Sequence, residues 1–146
     1  MKKLFLLLII AMILPGMVYA GSSVTFPGNK IKISLMSQSP DPVKPGESFD
    51  LKIRVQALTS NARENYVTKN LKIEMLKEYP FSVLEPELYD RDLGNLNDGE
   101  VRDVTYRIRV APDSPDGANR LRFRYSSDAE GSLDGEGYLT INVRSI

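Results

Sequence analysis

The sequence predicts an all-β domain, a sandwich of two antiparallel sheets with about seven strands. Three observations lead to this fold class. Apolar and polar residues alternate with period two in several segments, as in strands that bury one face and expose the other. Clusters of proline, glycine, asparagine and aspartate separate these segments. A helical alternative exists only at Leu71–Glu78, where Ile73 would lie on the wrong face.

Residues 1–20 are predicted to form a helical signal peptide. Two lysines open it, and the uncharged run Leu4–Leu14 that follows is shorter than the roughly 20 residues of a membrane span. Val18 and Ala20 place small residues at positions −3 and −1 of a cleavage site before Gly21. We therefore expect an exported protein, extracellular or associated with the cell envelope. The alternative is an uncleaved leader that attaches the chain to the membrane.

The remainder is expected to consist of a flexible lead-in, residues 21–29, and one sandwich domain, residues 30–146. Loss of the two leader lysines leaves 17 basic and 19 acidic residues. This balance argues against a nucleic-acid partner, because domains that bind nucleic acid are usually strongly basic. Cysteine is absent, so the hydrophobic core has to stabilise the exported domain without disulfides.

Six strands have a clear phase. They are predicted at Ile31–Leu35, Phe49–Ala57, Leu71–Met75, Val104–Val110, Leu121–Tyr125 and Leu139–Val143. A seventh strand is expected within Pro80–Leu84 or Glu87–Arg91. The alternation places ten side chains in the core: Phe49, Leu51, Ile53, Leu71, Ile73, Tyr106, Ile108, Phe123, Ile141 and Val143.

The connections carry residues that end strands. Ser39–Glu47 contains three prolines, which donate no backbone hydrogen bond and so cannot continue a sheet ladder. Gly46 can adopt a left-handed conformation before the next strand. Asn95–Glu100, Ala111–Asn119 and Asp128–Gly137 have similar compositions. Short strands joined by such turns are typical of a β-sandwich of roughly 100 residues.

The turn motifs resemble those of archaeal S-layer-like domains, which are immunoglobulin-type modules similar to the bacterial cell-adhesion-related (CARDB) domains. Pro40–Glu47 resembles the opening of these domains, and Tyr79–Phe81, Leu93–Leu96 and Val110–Gly117 follow in the same order. The resemblance covers about residues 30–144. It implies an immunoglobulin-like fold and a place at the cell surface, and it does not specify a ligand.

The residue types exclude most catalytic sites. Histidine and cysteine are absent, which removes the usual general base, the Ser–His and Cys–His pairs and the common zinc ligands. Paired carboxylates could serve glycoside hydrolysis, but nothing in the sequence distinguishes two of them. We therefore expect that the protein is not an enzyme.

Basic residues concentrate on the polar faces of the predicted strands, most densely at Arg120, Arg122 and Arg124. An acidic surface polymer or an anionic envelope surface could bind these three arginines. Alternatively, they only shield exposed strands against edge-to-edge aggregation.

Acidic residues concentrate in two loops, Asp90–Glu100 and Asp128–Glu136. In an immunoglobulin-like order both loops, together with Glu64, are expected at one end of the sandwich. The second loop is either a solvated turn or a set of oxygen ligands for Ca²⁺, formed by Asp128, Glu130, Asp134 and Glu136. No other cofactor is expected.

These observations predict a non-catalytic, exported binding or adhesion module of the cell envelope. Its partner would be an envelope protein or a surface polymer, and no nucleic acid. One alternative is a structural spacer or an S-layer-associated assembly domain without a defined ligand. A third is a secreted carbohydrate-active enzyme.

Overall fold

The computed structural model describes residues 23–25, 31–58, 67–128 and 135–145. These ranges contain nine strands and no helix. The strands are β1 (Ser23–Thr25), β2 (Ile31–Ser39), β3 (Ser48–Ala57), β4 (Val67–Met75), β5 (Phe81–Val83), β6 (Asp90–Asn97), β7 (Val101–Val110), β8 (Gly117–Ser126) and β9 (Gly135–Val143). The predicted signal-peptide helix lies outside the described residues.

The strands form two antiparallel sheets. The first has five strands in the order β1-β2-β3-β7-β5, and the second has four in the order β6-β4-β8-β9. This arrangement confirms the predicted all-β sandwich. Within the described ranges, no helix has the length and apolar character needed to cross a membrane.

All six strands with a clear predicted phase are present, and the region of the expected seventh contains two. β5 adds three residues to the edge of the first sheet beside β7, and β6 forms an edge of the second sheet. β6 has a weak sequence pattern because only Leu96 is buried along it. β1 pairs with β2, so the segment expected as a flexible lead-in contains a strand.

The core lies between the two sheets. All ten side chains predicted to point inward are buried, none with more than 2% of its surface exposed. Tyr106 of the first sheet packs on Phe123 of the second with ring centroids 5.9 Å apart. Phe49 and Phe81 pack edge-to-face at 6.0 Å. The period-two alternation therefore identified the interior correctly.

The buried phenol of Tyr106 has its polar atom satisfied. Its hydroxyl donates a hydrogen bond to the backbone carbonyl of Tyr89 at 2.9 Å, and the Arg91 guanidinium carbon lies 4.4 Å from its ring centroid. Burial raises the pKa of Tyr106 well above its ordinary value, so the phenol stays neutral. The hydroxyl of this large core side chain is therefore buried without leaving a polar group unpaired.

The proline-rich connection between β2 and β3 joins the two sheets. Val43 is buried and lies beside Val143 in parallel. Its N–H donates to the Asn142 carbonyl at 3.1 Å, and its carbonyl accepts from the Arg144 N–H at 2.9 Å. Gly46 has a φ of 81°, which confirms the left-handed conformation expected there. The connection therefore covers one end of the β9 edge before it enters β3.

Candidate functional site

The three arginines predicted to bind a polymer lie on the outer face of the second sheet. Arg120, Arg122 and Arg124 alternate along β8 with side chains that are buried. β8 pairs with β9 in a register that places Arg124 opposite Glu136 and Arg122 opposite Tyr138. Strand geometry thus presents the arginines and the outward side chains of β9 on one surface.

Two of the three arginines share one carboxylate. The Nη2 atoms of Arg122 and Arg124 each lie 2.7 Å from an oxygen of Glu136, and Arg122 Nη1 lies 3.5 Å from Glu78 Oε2. The hydrogen bond from Arg124, assisted by that from Arg122, holds the pKa of Glu136 below its ordinary value. Much of the positive charge predicted along β8 is therefore compensated.

Arg120 is placed differently. Its guanidinium carbon lies 4.4 Å from the ring centroid of Tyr138, the geometry of a cation–π contact. In the described part of the chain no carboxylate lies within ion-pair distance of Arg120. Among the described residues, Arg120 is thus the one predicted binding residue whose charge no carboxylate compensates.

These side chains line a surface groove of about 640 Å³. Its lining includes Glu78, Tyr79, Asn119, Arg120, Arg122 and Tyr138. Its volume is within the range of about 300–1,000 Å³ that small-ligand sites occupy. We call this feature the tyrosine groove, because both its aromatic side chains are exposed, 60% for Tyr79 and 45% for Tyr138.

Hydrogen bonds hold the rim of the tyrosine groove in place. The Tyr79 hydroxyl donates to the backbone carbonyl of Asp113 at 2.8 Å. Asn119 Nδ2 donates to the carbonyls of Pro115 and Gly117 at 3.0 and 3.2 Å. The β4–β5 connection, which carries Tyr79, is thereby attached to the β7–β8 connection beside β8.

Sequence reasoning identified only part of this groove. Arg120 and Arg122 were predicted to bind a ligand, whereas Glu78 and Asn119 were not. The available signal was the tyrosine content of the turns, but tyrosine is also common inside strands. The contact of Tyr79 with the β7–β8 connection depends on chain folding and has no local signature.

The predicted Ca²⁺ ligands fall partly outside the described residues. Glu130 and Asp134 lie in the range 129–134, which is not described. Asp128 Oδ2 accepts a hydrogen bond from Asn70 Nδ2 at 2.7 Å, and Glu136 lies in β9 bonded to two arginines. Among the residues with described positions, no three carboxylates are grouped to hold a metal. The Ca²⁺ site stays a prediction.

The expected gathering of acidic residues at one end requires a correction. The β6–β7 turn lies next to the end of β3, because Gly99 N–H donates to the Ala57 carbonyl at 2.8 Å. The end of β8 lies at the same end of the sandwich, where Asp128 N–H donates to the Lys69 carbonyl. Asp90, however, pairs opposite Glu74 at the far end of β6. The two turns therefore lie at one end of the sandwich as expected, whereas Asp90 lies at the other end, and Glu64 is outside the described residues.

The outer face of the first sheet is also less basic than expected. Arg54 makes two hydrogen bonds to Asp103, at 2.8 and 3.1 Å, and Lys52 lies 3.8 Å from the same carboxylate. Arg107 lies 3.5 Å from Asp50. Because acids alternate with bases across these strands, the surface is a mosaic of ion pairs.

No protein-family model matches this sequence, and no curated protein matches it. Among solved structures, the chain is similar to Spo0M, a sporulation control protein from Bacillus subtilis, with a TM-score of 0.40 and 13% sequence identity. The similarity covers 86% of this chain and 51% of the Spo0M chain, so this chain spans about half the length of that protein. A similarity of this size carries no inference about function.

Proposed function

We propose that the protein is a non-catalytic, exported binding or adhesion module of the cell envelope, with an immunoglobulin-like fold. The observation that carries this proposal is the tyrosine groove. It combines two exposed aromatic rings with charged side chains that are already held in position. Exposed tyrosine and arginine side chains are enriched where proteins bind partners.

The strand order supports the immunoglobulin-like part of the proposal. In space, the series β2-β3-β7-β5 matches the A-B-E-D sheet of that fold, and β6-β4-β8-β9 matches C′-C-F-G. The chain order of the two edge strands differs, because β5 at the D position precedes β6 at the C′ position. The resemblance of the turn motifs to archaeal S-layer-like and CARDB-type surface domains supports a place in the envelope. The leader pattern of residues 1–20 supports export.

The absence of histidine and cysteine from the sequence supports a non-catalytic role. The second candidate function is a structural spacer or an S-layer-associated assembly domain. The ion-paired outer face of the first sheet favours it, since compensated charges suit a surface without a ligand. Both candidates place the protein in the envelope, and they differ in whether the tyrosine groove is occupied.

Envelope binding separates the two candidates. Protein expressed with its leader is expected outside the cytoplasmic membrane, with a new N-terminus at or near Gly21. Mixed with washed envelopes of its host, this protein is expected to sediment with them saturably, and Tyr138→Ala is expected to reduce the bound fraction. The matched control is Leu88→Ala, because Leu88 is 65% exposed and does not line the groove. Retention in the cytoplasm, or no sedimentation, would contradict the binding function.

A further inference from the structure

The tyrosine groove has a more specific chemistry than a general docking surface. We propose that it binds a neutral glycan, whose pyranose rings stack on Tyr79 and on the face of Tyr138 that Arg120 does not cover, and whose hydroxyls bond to the polar side chains of the lining. The inference rests on the proposed binding function and names the class of its ligand.

The aromatic rings provide the first argument. In the described part of the chain, five large hydrophobic side chains are exposed, and the two aromatic ones, Tyr79 and Tyr138, both line this groove. A pyranose has one face of C–H groups that carry slight positive charge. The face of an aromatic ring is slightly negative, so the two surfaces attract each other while both exclude water.

The charge balance of the lining provides the second argument. Its charged side chains are two glutamates, Glu78 and Glu136, and two arginines, Arg120 and Arg122, so the formal charges cancel. An acidic polymer would meet Arg120, which has no ion pair among the described residues, but it would also meet both carboxylates, which repel it. A neutral sugar meets no such repulsion. We therefore expect an uncharged ligand in this groove, in place of the acidic polymer that the sequence predicted.

Preorganisation of the polar groups provides the third argument. Arg120 is stacked on Tyr138, and Arg122 bridges Glu78 and Glu136. These planar groups present donors and acceptors in fixed directions, which suits neighbouring sugar hydroxyls. Because the side chains are already ordered, binding immobilises fewer of them and costs less conformational entropy.

A protein is the competing occupant. A stable protein interface buries about 800 Å² on each partner and has an apolar centre. The groove offers two tyrosine rings, each with its polar tip, surrounded by four charged side chains. Such a mixture suits the amphipathic surface of a sugar better than the apolar centre of a protein interface.

The test is calorimetric titration of the exported protein with defined oligosaccharides. The neutral probes are cellotetraose, chitotetraose and mannotetraose, and the acidic probe is tetragalacturonate. At least one neutral probe is expected to bind with a Kd of roughly 10 µM to 1 mM. Tetragalacturonate is expected to bind more weakly than that probe.

The variants locate the binding. Tyr138→Ala and Tyr79→Ala are each expected to weaken the neutral probe at least about tenfold, equivalent to about 1.4 kcal/mol. Tyr138→Phe keeps the ring and is expected to retain binding, and Leu88→Ala is the control outside the groove. An unchanged urea midpoint in each variant shows that the fold is intact.

Three outcomes overturn the proposal: no neutral probe binds, the acidic probe binds best, or Tyr138→Ala binds as the wild type does. Each outcome is distinguishable from failure of the proposed function. If the protein sediments with untreated envelopes but no longer does so after the envelopes are treated with protease, its partner there is a protein. Protein that does not sediment at all has no envelope-binding function.

Discussion

Gly135, the first residue of β9, is in a position where a larger residue does not fit. A Cβ atom built there would meet Cε1 of the Tyr125 ring and lie 2.9 Å from its Cζ. Tyr125 is only 1% exposed, so the ring cannot move out into solvent. The glycine-rich sequence predicts a turn at this position, whereas Gly135 lies in a strand against a buried ring.

We therefore expect Gly135→Ala to lower the free energy of unfolding by about 1–3 kcal/mol, because overpacking forces side chains or backbone to shift. Urea unfolding followed by circular dichroism measures the loss. Thr105→Ala, at an exposed position of β7, is the control and is expected to change the stability by less than about 0.5 kcal/mol. Equal midpoints for the two variants would contradict this packing.

The backbone conformation of Asn70 could not be predicted from the local sequence. Asn70 has a φ of 48°, unusual for a residue other than glycine, and lies where the pairing of β4 with β6 shifts register. Its N–H donates to Asn95 Oδ1 at 2.9 Å, across the two strands. Asparagine tolerates this conformation better than most residues. Nothing in the surrounding sequence distinguishes it from other strand asparagines.

At the scale of elements, the β8–β9 pair is joined by side chains as well as by its ladder. Glu136 of β9 accepts from Arg122 and Arg124 of β8. The hydrogen bonds hold the pKa of Glu136 below its ordinary value of 4.5. Because the pKa is lower in the folded state, this stabilisation is complete above the unfolded value. It is lost as the pH falls through the folded value.

The consequence is a specific pH dependence. Between about pH 5 and about pH 3, the wild type is expected to lose stability more steeply than Glu136→Gln, which has no carboxylate to protonate. At neutral pH the variant is expected to be the less stable of the two. Urea midpoints measured across this range test both statements.

The control for this pH dependence is Asp98→Asn. Asp98 is exposed in the β6–β7 turn, and no ion pair joins it to the described residues. Because Asp98 joins no two strands, its replacement is expected to change the free energy of unfolding at neutral pH by less than about 0.5 kcal/mol. Parallel slopes for the wild type and Glu136→Gln would show that the bridge to β8 does not stabilise the pair.

At the scale of the whole molecule, stability depends on one core between the sheets. Ile53 of β3 and Ile108 of β7 are both fully buried. Ile53→Ala and Ile108→Ala are each expected to cost about 2–5 kcal/mol, and the corresponding valine variants about 0.5–1.5 kcal/mol. Denaturant unfolding measures the valine variants even where the alanine variants do not accumulate.

Arg109→Ala serves as the control for the core, since Arg109 follows Ile108 in β7 and is exposed. Its expected change is within about 0.5 kcal/mol. The absence of cysteine sharpens the contrast, because no disulfide offsets a loss of packing. Costs near zero for both isoleucines would be incompatible with a single shared core.

The sequence by itself determined the fold class, the six main strands and the ten inward side chains tested here. Successive side chains of a strand point to opposite faces, so alternation along the sequence predicts which side chains are buried. This prediction does not require knowing which strands pair. The sequence also located Gly46 as a left-handed residue, because a glycine that follows a proline in a turn is a local signal. β5 and β6 were less well predicted, because β5 has only three residues and β6 buries only Leu96.

Only the tertiary structure decided which charges remain available and which rings share a groove. Glu136 compensates Arg122 and Arg124 because β8 and β9 pair in one particular register. Tyr79 joins the groove because its hydroxyl bonds to a connection 34 residues further along the chain. Both relations depend on contacts between distant segments, and a periodic pattern describes only the face on which a side chain lies.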